Sequence, residues 1–183
     1  MKATGIVRRI DDLGRIVIPK EIRRTLRLRE GTPLEIYTDT EGRIVLKKYS
    51  PMEDLGDFAR QYADTLAQTT GHMVCIMDRE QILAVSGGIK KEIQGKPISK
   101  QMENLISGRT VILPGSRESE KGVSIINGDR GEYSGIVLYP ILCEGDAIGA
   151  VSMMSRDNRK KMGETEQKLA AAAAGFLGKQ MES

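Results

Sequence analysis

A helix start is written into this chain at Ser50-Pro51-Met52-Glu53, fifty residues along it. Ser50 can cap, Pro51 suits a first helical turn, and Glu53 completes a capping box. Behind them Met52, Leu55, Ala59, Tyr62 and Leu66 recur at 3-4-3-4 spacing, a helical seam of coiled-coil type. The boundary predicts two domains, residues 1–50 and 51–183. It also leaves a leading unit of fifty residues, a size at which a single core is marginal. The two cysteines and one histidine of the whole chain all lie beyond it, so neither a disulfide nor a metal can staple this unit. Association remains, and residues 1–50 are expected to fold only as an obligate dimer.

Short strands are predicted over residues 4–10 and 15–18, around a turn at Asp11-Asp12-Leu13-Gly14. Pro19 ends the second and opens a helix over 20–27 with Ile22 and Leu26 on one face. Residues 34–38 and 43–48 read as a hairpin around Asp39-Thr40-Glu41-Gly42. Charge is concentrated here. Residues 1–50 carry twelve Lys/Arg against seven Asp/Glu, whereas the rest of the chain carries sixteen against eighteen. A basic unit beside a nearly neutral one points to a polyanion-binding part joined to a part with another task. No internal repeat is evident at this level.

The runs Gly5-Ile6-Val7-Arg8-Arg9, Asp12-Leu13-Gly14-Arg15-Ile16-Val17-Ile18-Pro19, Glu21-Ile22-Arg23-Arg24-Thr25-Leu26, Leu34-Glu35-Ile36-Tyr37 and Leu46-Lys47-Lys48-Tyr49 resemble the AbrB-type transition-state regulators. That resemblance implies a swapped-hairpin β-barrel built by two interleaved chains. It also implies that Arg8, Arg15, Arg23 and Arg24 face double-stranded DNA. Guanidinium chemistry suits this role, because it is always charged and forks onto phosphates or guanine edges. The alternative for each is a surface ion pair with Asp11, Asp12 or Glu21, worth little; for Arg9, Lys20 and Arg27 that alternative is at least as good. Neither a helix-turn-helix nor a zinc finger is visible, so reading is expected to rest on phosphates and DNA shape.

Beyond the boundary, the long helix is followed by strands at 72–77 and 81–85, a helix at 99–106, a strand at 110–113, a polar loop at 114–122, strands at 135–142 and 147–154, and a last helix over 164–181. This order, and the hairpin Pro140-Ile141-Leu142-Cys143-Glu144-Gly145-Asp146-Ala147-Ile148-Gly149-Ala150-Val151, resemble the GAF domains. The fold class is therefore expected to be α+β: the swapped-hairpin barrel, then a GAF-like α/β sheet domain flanked by long helices. Gly149 inside a strand marks a bulge or a close backbone approach. On the last helix Met162, Leu169 and Phe176, with Ala173, Leu177 and Met181, line one side. Such helices from several chains predict a bundle that joins dimers into a homotetramer.

Chemistry in the second domain is sparse. Cys75 and Cys143 read as buried structural thiols and His72 as a surface histidine. Gly87-Gly88 with Lys90-Lys91 reads as a turn, because no phosphate-loop pattern surrounds it. No catalytic residue, cofactor or metal site is predicted, and the resemblance to GAF domains implies only a small-molecule ligand of unknown identity. No apolar run approaches the roughly 20 residues of a membrane span, and no signal peptide is expected. The predicted setting is the cytoplasm, at the nucleoid. The pairing of the two domains is similar to regulators of spore development in endospore-forming bacteria, which implies a transcription factor of the developing spore compartment that activates some genes and represses others. Two alternatives are an antitoxin that represses its own operon and, further off, a GAF-type thiol redox enzyme.

Overall fold

The computed structural model describes residues 5–49, 56–88, 93–129 and 133–182. The chain divides into two compact units, Met1–Tyr49 and Ser50–Ser183. The capping box at Ser50 and Glu53, and the seam positions Met52 and Leu55, lie outside the described residues.

In the first unit α1, Lys20–Thr25, starts directly after Pro19. It is two residues shorter than its pattern suggests: Arg27 turns left-handed at φ 53°, and the Leu28 N–H returns to the Arg23 carbonyl at 2.7 Å. Strands β1 (Leu34–Thr38) and β2 (Ile44–Lys48) pair antiparallel with Ile36 opposite Leu46. Residues 5–10 and 15–18, read from the sequence as strands, form none here. Only their connecting turn is closed, by Gly14 N–H to Asp11 O at 3.0 Å and Asp11 N–H to Arg15 O at 3.1 Å. The result is a unit almost without a core. Pro19 alone is buried among its described residues, while Val7, Val17 and Ile36 are 88%, 71% and 67% exposed. No barrel closes among the described residues.

In the second unit α2 (Gly56–Thr70) precedes β3 (Met73–Asp78) and β4 (Ile82–Ser86); α3 (Lys100–Ser107) and α4 (Arg117–Lys121) follow. Then come β5 (Gly135–Cys143), β6 (Asp146–Ser155) and α5 (Glu164–Gln180). The sheet order is β4-β3-β6-β5, with every neighbouring pair antiparallel. All six residues of β3 are buried because both faces are covered. Cys75 and Met77 pack on one side with Met102 and Ile106 of α3. Val74 and Ile76 pack on the other with Ala59 and Ala63 of α2 and Ala173 and Leu177 of α5.

Small residues set the layer spacing. A Cβ at Gly178 would lie 2.1 Å from the Leu142 carbonyl oxygen, and one at Gly149 2.2 Å from that of Met77. Gly149 is thus a close backbone approach, and it also borders a bulge: Ile141 pairs with Gly149 but Leu142 with Ala147, leaving Ile148 as the extra residue. Residues 110–113 contribute one bridge, Ile112 to Leu138, rather than a strand. The segment read as polar loop contains α4, capped by Ser116. Its Ser119 hydroxyl donates to Ile136 O at 2.8 Å and accepts from Ile136 N–H at 3.0 Å. No helix among the described residues is long and apolar enough to cross a membrane.

Candidate nucleic-acid interface

Arg8 lies on the segment before the first turn, outside any strand, and is exposed. Arg15 lies directly after that turn. Its Nε donates to Asp11 Oδ2 at 2.8 Å, and its backbone N–H, with that of Leu13, donates to Asp11 Oδ1 at 2.8 and 3.0 Å. Those bonds, the backbone one foremost and then the guanidinium, hold the Asp11 carboxyl below its usual range. Arg23 and Arg24 occupy the last turn of α1, both exposed. A cation there also complements the carbonyl end of the helix. The fold therefore presents Arg23 and Arg24 side by side, leaves Arg8 outside any strand, and holds Arg15 in an ion pair that is open to solvent. For Arg15 the ion-pair alternative is the arrangement seen in the free chain.

The two turns of this unit turn out to be one device used twice. Asp11-Asp12-Leu13-Gly14-Arg15-Ile16-Val17 and Asp39-Thr40-Glu41-Gly42-Arg43-Ile44-Val45 share Asp, Gly, Arg, Ile and Val at equal spacing. In the second, Gly42 N–H donates to Asp39 O at 3.2 Å, and Glu41 and Arg43 N–H donate to Asp39 Oδ1 at 3.0 and 2.9 Å. The Arg43 guanidinium again pairs with its aspartate. Both glycines sit at φ 75°, a conformation glycine adopts without strain. The reading of the sequence as free of repeats is thus corrected. The repeat is seven residues long and carries a turn, not a helix or strand period. Its second copy closes a hairpin, β1–β2; the first joins two segments that form no strand among the described residues.

In the second unit burial pushes the Cys75 thiol up, with the Asp129 charge adding to it. Cys143 is only half-buried, at a strand end; burial raises its thiol as well, with Glu144 next. Across the sheet Cys75 pairs with Ser152 and Ser152 with Leu138, five residues before Cys143, so the thiols do not meet. His72 is not a surface residue as expected but 5% exposed. Its Nε2 lies 3.7 Å from Glu166 Oε1. That glutamate also accepts the Gly163 N–H at 2.7 Å and so caps α5. Sequence alone could not bring together residues 94 positions apart.

Comparison with known proteins bears on both units. Residues 54–182 match the family described as stage V sporulation protein T C-terminal, transcription factor. Residues 7–54 match the family described as antidote-toxin recognition MazE, bacterial antitoxin. The chain is 52% identical to stage V sporulation protein T of Bacillus subtilis (strain 168) over 182 residues, 100% of this chain and 99% of that protein. It is 63% identical over 51 residues to the transition state regulatory protein AbrB of the same organism, 28% of this chain and 52% of that protein. Among solved structures, the GAF domain from Acinetobacter phosphoenolpyruvate-protein phosphotransferase matches 74% of this chain and 84% of its own. The TM-score is 0.57 at 10% identity, a likeness of fold alone. An AbrB-like basic unit followed by a GAF-like sheet unit, matched along its full length, places this chain in the family of stage V sporulation protein T.

Proposed function

We propose that this chain regulates transcription as a dimer or a dimer of dimers, gripping double-stranded DNA through Arg8, Arg15, Arg23 and Arg24 of each protomer. One observation carries the reading. The basic unit, 63% identical to its counterpart in AbrB, exposes its arginines and leaves its apolar residues uncovered. A second copy covers that apolar surface, and the two-fold doubles the arginines along one duplex. Positioning then rests on phosphates, and preference on DNA shape.

The second unit joins such dimers. The Tyr62 and Phe176 rings stack at 5.5 Å on the outer side of α2 and α5, and Phe58 and Phe176 remain 53% and 38% exposed. The setting is the developing spore compartment, at the nucleoid, with some genes activated and others repressed. The antitoxin reading is disfavoured because residues 54–182 match a transcription-factor family rather than a toxin-wrapping tail. The separation of Cys75 from Cys143 disfavours a thiol enzyme.

The test is fluorescence anisotropy on a labelled duplex with the triple variant R15A/R23A/R24A. These side chains are exposed, so the fold stays intact by circular dichroism. Affinity is expected to fall by about a hundredfold or more in moderate salt. Wild-type affinity in the triple variant would remove these arginines from the interface.

A further inference from the structure

Glycine fills most of the left-handed backbone positions of this chain; among the described residues Arg27, Arg109 and Glu144 are the exceptions. Arg27 stands at φ 53°, just beyond α1. Its N–H returns to the Arg24 carbonyl at 3.3 Å, and the Leu28 N–H to that of Arg23 at 2.7 Å. This is the Schellman closure of a helix, whose left-handed residue is usually glycine because a Cβ is strained there. The sequence sets an arginine at that position instead.

Two structural roles for this side chain are filled or unmet. A cation beside the last carbonyls of a helix is stabilising, but Arg23 and Arg24 already occupy that last turn, and Lys48 Nζ reaches the Arg27 carbonyl itself at 3.4 Å. The other role is an ion pair. Glu21 and Glu30 are the acids of residues 20–33. The exposed Arg27 guanidinium pairs with neither and has no carboxylate partner among the described residues, whereas Arg15 and Arg43 do. Arg109 offers the comparison. It closes α3 in the same way at φ 52°, its N–H on Ile106 O and the Thr110 N–H on Leu105 O, both at 2.9 Å. There the guanidinium has a partner, Asp146 Oδ1 at 3.7 Å.

We infer that Arg27 is a further DNA contact of each protomer, a phosphate-binding cation set beside Arg23 and Arg24. The backbone bonds that hold Arg27 and Leu28 in place end on the carbonyls of those same two arginines. Phosphates recur about every 3.4 Å of rise along one strand, so neighbouring cations of a single turn suit neighbouring phosphates. Strained backbone persists where the placement of a side chain is used, and here the only unmet property of that side chain is its charge. The inference rests on the DNA reading proposed above and extends it by one residue.

The test compares full-length R27G, R27Q and R27K with R109G and R15A/R23A/R24A by anisotropy on the labelled duplex. Glycine removes both the strain and the charge at position 27. R27G is therefore expected to unfold at or above the wild-type temperature, yet to bind about tenfold weaker at about 0.1 M salt. R27Q, which keeps a side chain and drops the charge, should bind as weakly. R27K should stay within about threefold of wild type, since a phosphate accepts a point charge. The deficits should narrow as salt rises. R109G puts glycine at the other such helix end and should bind as wild type does. Wild-type affinity in R27G and R27Q, with binding lost in R15A/R23A/R24A, would remove Arg27 alone; wild-type affinity in the triple variant too would remove the whole DNA reading. A lower unfolding temperature in R27G, or an equal loss of binding in R109G, would trace the effect to the fold and overturn the inference.

Discussion

Asp11 restrains Arg15 through Nε and offsets part of the charge it would offer a phosphate. In the free chain its guanidinium is held at 2.8 Å by a carboxylate whose other oxygen organises the turn. An asparagine at position 11 keeps an oxygen for the Leu13 and Arg15 N–H groups but gives up the charge that restrains the guanidinium. Asp11→Asn is therefore expected to tighten duplex binding about two- to fivefold at low salt, as befits release of an exposed ion pair. Weaker or unchanged binding with an intact turn would mean that Arg15 does not reach DNA. The pH dependence has a definite sign. The Asp11 and Asp39 carboxyls are held below the ordinary aspartate range, in each case first by the backbone N–H of the arginine four residues on and then by its guanidinium. Their support of the turns is complete above that range and is lost as pH falls through the lowered midpoints. Carboxyl carbon titration by NMR should place both midpoints below that of an aspartate in an unstructured peptide; a midpoint at or above the peptide's would contradict the hydrogen-bonded turns.

Elements differ in how openly the sequence declares them. The β1–β2 hairpin was legible because β-branched runs flank a turn with glycine where φ must be positive. The helix α4 was not, because Arg-Glu-Ser-Glu-Lys offers no apolar period; what anchors it is the Ser119 hydroxyl on the Ile136 backbone. Residues 4–10 and 15–18 read as strands from their β-branched content, and among the described residues neither segment forms one. Of the site, the arginine positions were legible through the resemblance to AbrB-type regulators. The repeat of the turn stands in the sequence but is too short to announce itself as one, and the aspartate grip on Arg15 is a matter of side-chain geometry. Helix-to-sheet spacing makes its own prediction. Gly178 lets α5 approach the Leu142 carbonyl, and Gly149 lets β6 approach Met77. Alanine at either should cost about 1–3 kcal/mol in urea unfolding, the usual range for overpacking. No loss at Gly178→Ala would show that α5 is not seated on β5 this closely.

At the level of the whole molecule, burial divides the labour. The second unit holds two packed cores about one sheet, whereas the first buries only Pro19 among its described residues. That contrast fits the proposed dimer of the first unit and the proposed assembly through the second. Phe58→Glu with Phe176→Glu places charges on the outer side of α2 and α5 at residues that are already exposed. Sedimentation should show the larger assembly reduced to a dimer, with weaker duplex binding because the second DNA contact is no longer intramolecular. A wild-type mass and affinity in that variant would confine these helices to covering their own sheet. The central claim is that two protomers lay Arg8, Arg15, Arg23 and Arg24 on DNA, and salt dependence reads it most directly. About eight phosphate contacts predict that the logarithm of the binding constant falls against the logarithm of salt concentration with a slope near −7, and Arg15→Ala should reduce that slope by about 2. A slope near −1, or one unmoved by Arg15→Ala, would contradict the account.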